Sequence, residues 1–325
     1  MTTPKAERRE TELRVFRATA ALLWIFASAC LGQTRAADEV FPPSDVMWGK
    51  KITKDDCSLL REAVWVEHRY GSECIRYFPS PGIDQAGQAN FFFHGDVADV
   101  AFYKDNKAGI LLESAKRLEA TYGFPFIYVG RPGAYGSSGY HAERRRPKEF
   151  YSLNAAVDAI KVKHGIGKVI LSGQSGGATS VGALLTLGRT DVVCAVGTSG
   201  GYAVIERAEF ARRRIGARSL PGVDSTGFRD AYDVINYVSG IQADPKRRIF
   251  IIGDLLDQTT PFSLQKKFAD LVRAAGHEVQ LVEAAAKGAQ HHSLRPVGIL
   301  AAGLCGQGVP TEELILKIRS HASAE

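Results

Sequence analysis

Residues 168–177 (KVILSGQSGG) carry Ser175 inside a Gly-x-Ser-x-Gly pentapeptide, directly after a short apolar run. The next residues, 178–187 (ATSVGALLTL), open with small side chains and read as a helix. A strand that turns at once into a helix crowds its own backbone at the bend, and glycines on either side relieve that crowding. The serine at such a bend is presented at the carboxyl edge of a sheet. This one segment therefore demands a strand, a tight turn and a helix in a chain whose sheet is covered by helices.

The flanking sequence repeats that rhythm. Residues 73–79 (ECIRYFP), 89–93 (ANFFF), 125–130 (PFIYVG), 169–172, 191–196, 248–253 and 279–282 read as strands. Between them, Leu111, Ala115, Leu118 and Tyr122 recur at helical spacing before Gly123. Phe150, Leu153, Val157 and Ile160 do the same, as do Leu264, Phe268, Leu271 and Ala275 before Gly276. Strands alternating with helices predict an α/β fold with a mostly parallel sheet and helices on both faces. Residues 202–245 interrupt the alternation with an arginine cluster (Arg212 to Arg214), Pro221 and two weaker helical stretches. A lid or cap insertion fits there, and so does an ordinary pair of connecting helices.

A second pentapeptide, 197–201 (GTSGG), surrounds Ser199, so the pattern alone does not choose a nucleophile. Order does. Ser175 follows a strand and enters a well-formed helix, whereas Ser199 ends the next strand and leads into a poor helical continuation. A serine hydroxyl needs a base to take its proton, normally a histidine oriented by a carboxylate. His277 enters a strand at the wrong edge, and His321 lies in the polar tail. His291 and His292 follow the last strand on the correct edge. Asp254 and Asp257 both follow the preceding strand, and Asp254, directly after a glycine, has the place of a turn carboxylate. For a developing oxyanion, backbone N–H groups are expected from Gly176 and, in the turn His94-Gly95-Asp96, from Asp96. His94 reads as a structural hydrogen-bonding residue. Gln174, Arg131 and Tyr135 are candidate substrate-binding residues, with His141 beside them. Arg144 to Arg146 read either as an anion site or as a solvated charge run.

Taken together, HG, GQSGG, DQTTPF and HHSL, in that order and on those strands, resemble the α/β-hydrolase superfamily from about Ser72 to Leu304. The resemblance implies an α/β-hydrolase fold and a Ser-His-Asp triad that cleaves an ester or peptide bond through an acyl-enzyme, without cofactor or metal. An aspartate four residues before proline is the superfamily's arrangement and favours Asp257, although it follows the strand-end glycine by four residues instead of three. The His-His-x-x-Leu-Arg-like ending of some serine peptidases favours His291, with His292 as the alternate. The same residues would serve an acyltransferase, and a hydrolase fold can also serve as a non-catalytic binding protein.

Composition sets the remaining bounds. At 325 residues and 45% apolar, the chain can bury one large core. Without residues 1–36 it keeps 35 basic and 32 acidic side chains and no lysine-rich run, which argues against nucleic acid as partner. The partner expected is a small ester or peptide substrate. Residues 1–17 are basic and precede the apolar stretch 18–31, the pattern of a secretory signal ending at Ala36 and leaving a mature domain at 37–325. That makes the protein exported, periplasmic or secreted, with no stable membrane span after cleavage. Retention as an anchor and lipid attachment at Cys30 are the alternatives. Four cysteines then remain. Cys57 and Cys74 are expected to pair, while Cys194 and Cys305 are either paired or free buried thiols.

Overall fold

The computed structural model describes residues 40–324 apart from 43, 98–106 and 217–219. The expected export segment, 1–36 with Cys30, lies outside the described residues. Eight strands form one sheet: β1 (Ala63–His68), β2 (Gly71–Pro79), β3 (Gln88–Phe93), β4 (Phe126–Val129), β5 (Lys168–Gln174), β6 (Val192–Thr198), β7 (Arg248–Gly253) and β8 (Val279–Glu283). Across the sheet they run β1-β2-β4-β3-β5-β6-β7-β8. β2 is antiparallel to both β1 and β4, and all other pairings are parallel. The sequence-based reading missed β1 and located the other seven.

Inner strands are apolar on both faces because both faces are covered. In β3, Phe91 and Phe93 enter one core layer and Phe92 enters the other, as the two-residue period of a strand requires. The principal helices are α1 (Ala108–Tyr122), α2 (Pro147–His164), α3 (Gly176–Thr186), α4 (Val204–Ile215), α5 (Phe262–Ala274), α6 (Arg295–Gly306) and α7 (Thr311–Ala324). α2, α3 and α5 supply one layer through residues such as Phe150, Leu184 and Phe268. α1, α6 and α7 supply the other through Leu111, Ala301 and Ile318. α1 stops where Gly123 adopts φ 78°, a conformation that glycine takes without a steric penalty.

Two disulfides are present, Cys57–Cys74 and Cys194–Cys305, with Cα separations of 5.8 and 6.4 Å. The second settles the open alternative for Cys194 and Cys305, tying β6 to α6 inside a core layer.

Within 202–245, α4 and the 3-10 segment Val234–Gly240 are the regular elements among the described residues. Tyr202, Tyr232, Val234, Val238 and Ile241 are buried in the main core. Tyr202 stacks on Phe268 at 4.3 Å, and Asp233 accepts hydrogen bonds from Val204 N and Ile205 N at the start of α4.

The chain runs from β3 outward to β4, then returns past β3 to β5. That reversal leaves a crevice outside the carboxyl ends of β3 and β5, where open α/β sheets place their ligands.

Candidate active site

Ser175 stands at that crevice. It links β5 to α3 with φ 57° and ψ −120°, outside the ordinary regions for a residue bearing a side chain. The hydrogen bond from Ser175 N to Thr198 O (2.8 Å) fixes the bend against β6. A Cβ on Gly177 would lie 2.0 Å from Phe93 O, so the bend closes only with glycine there. One on Gly176 would lie 2.0 Å from Asp96 Oδ1, which brings the two expected oxyanion-donor residues together. On its other side, the Cβ position of Gly95 is 3.4 Å from Ser175 Cβ.

The Ser175 hydroxyl meets His292, not His291. His292 Nε2 is 2.9 Å from Ser175 Oγ, and Nδ1 is 2.9 and 3.1 Å from the two Asp257 carboxylate oxygens. Those contacts assign the proton to Nδ1, which donates to Asp257 and leaves Nε2 to accept from the serine. Asp257 is held in turn by Thr259 N, Thr260 N and Thr260 Oγ1, each at 2.8 Å.

His291, the histidine favoured from the sequence, turns away. Its φ of 52° swings its ring outward, where Nδ1 donates to Asp254 Oδ2 at 3.2 Å. Asp254 also accepts from Leu256 N (2.8 Å) and Ala286 N (2.7 Å). The loop thus carries two histidine–aspartate pairs side by side, and only the second reaches the serine.

Three other residues sit differently from expectation. Arg131 is buried at 0% exposure and so does not face a substrate. Its guanidinium donates to Glu149 Oε1 (2.7 Å), Asp96 Oδ1 (2.9 Å) and His94 O (3.1 Å). Gln174 directs its amide to the His292 loop: Nε2 donates to His292 O at 2.7 Å, and Oε1 accepts from Thr198 Oγ1 (2.8 Å) and Leu294 N (3.2 Å). His141 is also buried. Its Nε2 accepts from Val97 N and its Nδ1 donates to Pro132 O, both at 3.1 Å. Tyr135, half-buried with φ 50°, lines a cavity.

The arginine run is neither a solvated stretch nor an empty anion site. Arg144 Nε donates to Asp96 Oδ2 at 3.0 Å, and Arg145 bridges Asp96 to the buried Asp224. Arg146 pairs with Asp230 and Glu143. Burial opposes ionisation of Asp96, but the guanidiniums of Arg145, Arg131 and Arg144 outweigh it and hold the carboxyl well below its usual range. Burial, reinforced by the nearby Arg131, keeps the imidazoles neutral. It pushes His141 down to about 4 and His94 well below its ordinary value. His94 Nδ1 donates to Gly95 O (2.7 Å) and Nε2 accepts from Arg131 N (3.0 Å), so its ring braces the turn.

Ser199 is fully buried and follows β6 with φ 47°. Its carbonyl lies 2.9 Å from Thr260 Oγ1, beside Asp257. From α4, Arg207 Nη1 donates to Thr259 O at 3.2 Å, tying that helix to the same loop. Sequence reasoning missed Thr260, Glu149 and Asp224. Glu149 and Asp224 carry no local signal because the fold brings them to the buried arginines Arg131 and Arg145, and Thr260 is identified only by its hydrogen bonds to Asp257 and Ser199.

No protein-family model matches the chain, and no curated protein matches its sequence. Solved structures do. Est1E from Butyrivibrio proteoclasticus, in its ferulic-acid-bound structure, is 13% identical with a TM-score of 0.53, over 81% of this chain and 100% of that one. The Pyrococcus furiosus esterase Pf2001 is 15% identical with a TM-score of 0.51, over 86% of this chain and 97% of its own. An acylaminoacyl peptidase from Pyrococcus horikoshii is 14% identical with a TM-score of 0.51, over 79% of this chain but only 41% of that longer protein. With the eight-stranded sheet and the serine at its β5–α3 bend, these similarities establish that the protein has the α/β-hydrolase fold.

Proposed function

We propose that this protein is a serine hydrolase that cleaves an ester or amide through an acyl-enzyme intermediate. One observation carries the proposal: the unbroken chain from Ser175 Oγ to His292 to Asp257, with 2.9 Å at each link. In this reading Ser175 Oγ attacks the substrate carbonyl carbon as its proton passes to His292 Nε2. Asp257 accepts the Nδ1–H and stabilises the imidazolium that results. The N–H groups of Gly176 and Asp96 take the oxyanion. His292 then gives its proton to the leaving group as the carbonyl–heteroatom bond breaks. Water, deprotonated by the same histidine, releases the acid and restores the serine.

The clamp on Asp96 supports this reading. Its backbone N–H serves the oxyanion only if the turn stays fixed, and three guanidiniums on its carboxylate fix it. Residues 37–325 form the working domain, with 202–245 as a cap anchored through Asp224 and Arg207. The two disulfides favour an oxidising compartment, in keeping with removal of residues 1–36 on export. Among the described residues, no helix is long and apolar enough to cross a membrane.

A fluorophosphonate probe tests the proposal. Wild type should be labelled and Ser175→Ala should not, while Ser199→Ala keeps labelling. A folded wild-type protein that resists the probe and hydrolyses no ester or amide would refute the hydrolase reading in favour of a binding protein.

A further inference from the structure

Arg207, near the start of α4, is a half-buried cation set between the two halves of the site. Its guanidinium donates from Nη1 to Thr259 O (3.2 Å) and from Nη2 to Ser225 Oγ (3.1 Å). Thr259 N is one of the donors that hold Asp257. Ser225 Oγ also accepts from Arg145 Nη2 (2.8 Å), and Arg145 Nη1 grips the Asp96 carboxylate. One side chain thus joins the loop of the acid to the clamp on the oxyanion turn. Its stem passes over Gly201, where a Cβ would lie 3.8 Å from Arg207 Cδ and Nε and 3.4 Å from Thr179 Oγ1. Thr179 sits one turn along α3 from Ser175, and its N–H donates to Ser175 O at 3.1 Å.

Both acceptors of Arg207 are neutral, and it makes no ion pair among the described residues. The carboxylates around it are taken. Arg145 holds Asp96 and Asp224, Lys267 holds Glu206, Arg212 holds Glu209 and His292 holds Asp257. Burial and repulsion from Arg145 push the Arg207 pKa down to about 10, against the pull of Asp96 and Asp224. The group stays protonated at neutral pH, so its charge is met by no anion at contact distance. Nη1 and Nη2 are each engaged once, and Nε has no partner among the described residues. A guanidinium so placed keeps in-plane donors whose geometry matches a carboxylate.

We infer that Arg207 is the specificity-determining cation of the site, and that it pairs with a carboxylate carried by the substrate close to the scissile bond. The inference deepens the serine-hydrolase reading above and rests on it. The substrate carboxylate would dock between the acid loop and the oxyanion clamp, supplying the counter-charge that Arg207 lacks and holding the neighbouring carbonyl beside Ser175.

Two matched pairs of esters test this. The p-nitrophenyl butyrate and hemisuccinate place the extra carboxylate on the acyl side, and phenyl acetate and 3-carboxyphenyl acetate place it on the leaving group. Within each pair the ratio of kcat/KM, corrected for spontaneous hydrolysis, cancels any difference in folded fraction or in the alignment of the triad. In at least one pair, Arg207→Gln should lower the anionic-to-neutral ratio by about tenfold or more, mainly through KM, as expected for one charge-assisted contact. Arg207→Lys should recover part of that ratio, and Arg273→Gln, on the exposed face of α5, should leave it at the wild-type value. An Arg207 that merely braces the acid loop would lower both members of each pair equally. A ratio indifferent to Arg207→Gln in both pairs, or probe labelling with no turnover of either anionic ester, would overturn the carboxylate site and leave the hydrolase reading standing. Failure to turn over any of the four, with no probe labelling, would instead sink the hydrolase reading and this site with it.

Discussion

The two histidine–aspartate pairs make a sharp prediction about which carboxylate serves catalysis. Asp257 accepts four hydrogen bonds, from Thr259 N, Thr260 N, Thr260 Oγ1 and His292 Nδ1. In Asp257→Asn the amide oxygen would stay with the two backbone N–H groups, since nothing else there can accept them. The amide NH₂ would then face His292 and donate to Nδ1. That moves the ring proton to Nε2, where it points at Ser175 and cannot accept the serine's proton. Loss of the right tautomer and of the imidazolium's counter-charge lowers kcat by about 10⁴ in such triads, or about 5 kcal/mol of barrier. Asp254→Asn perturbs only His291 and the Leu256 and Ala286 amides, which is worth about 1 kcal/mol of stability and little activity. Steady-state kinetics on both variants with any turned-over ester decides the matter, with melting curves confirming that each is folded. Equal losses, or a greater loss in Asp254→Asn, would remove Asp257 from the mechanism.

Other outcomes follow from the buried charges. Asp96→Asn should destabilise the protein by several kcal/mol, of order 3–5, because Arg131 and Arg145 would be left buried with one carboxylate fewer. Urea titration measures this, and a loss under about 1 kcal/mol would mean that the clamp matters little. Stability should also fall with acid. His141 has a pKa depressed from 6.5 to about 4, so its contribution is complete above pH 6.5 and is lost as pH drops through 4. The full span is worth roughly 3 kcal/mol. Buried His94 acts in the same sense, whereas burial raises Asp233 to about 6 and so favours the fold on the acid side of that value. Melting temperatures between pH 7 and 4 should decline because the histidines outweigh Asp233; a flat or rising profile would contradict this balance.

Most of the fold was legible because buried parallel strands write themselves as apolar runs and covering helices as 3.6-residue stripes. Residues 248–253 were recognised to the residue for this reason. β1 was not, because Ala63–His68 is an outer antiparallel strand whose Glu67 faces solvent, and its identity depends on pairing with β2. The Cys194–Cys305 bridge was equally hidden, since its partners lie 111 residues apart and meet only when α6 docks on β6.

The site was legible to the level of loops and no further. Strand order put Ser175, the Asp254–Asp257 turn and the His291–His292 turn on one edge, and that much follows from topology alone. Choosing within each turn depends on one backbone angle. The left-handed conformation of His291, which no sequence signal announced, aims its ring at Asp254 and leaves its neighbour facing Ser175. The arginines show the same limit from the other direction. A run of three cations looks solvated until Asp96 and Asp224 arrive from 49 and 79 residues away and remove Arg145 from solvent. Long-range ion pairing changes the meaning of those residues, from a surface that meets ligands to a brace that holds an N–H in place.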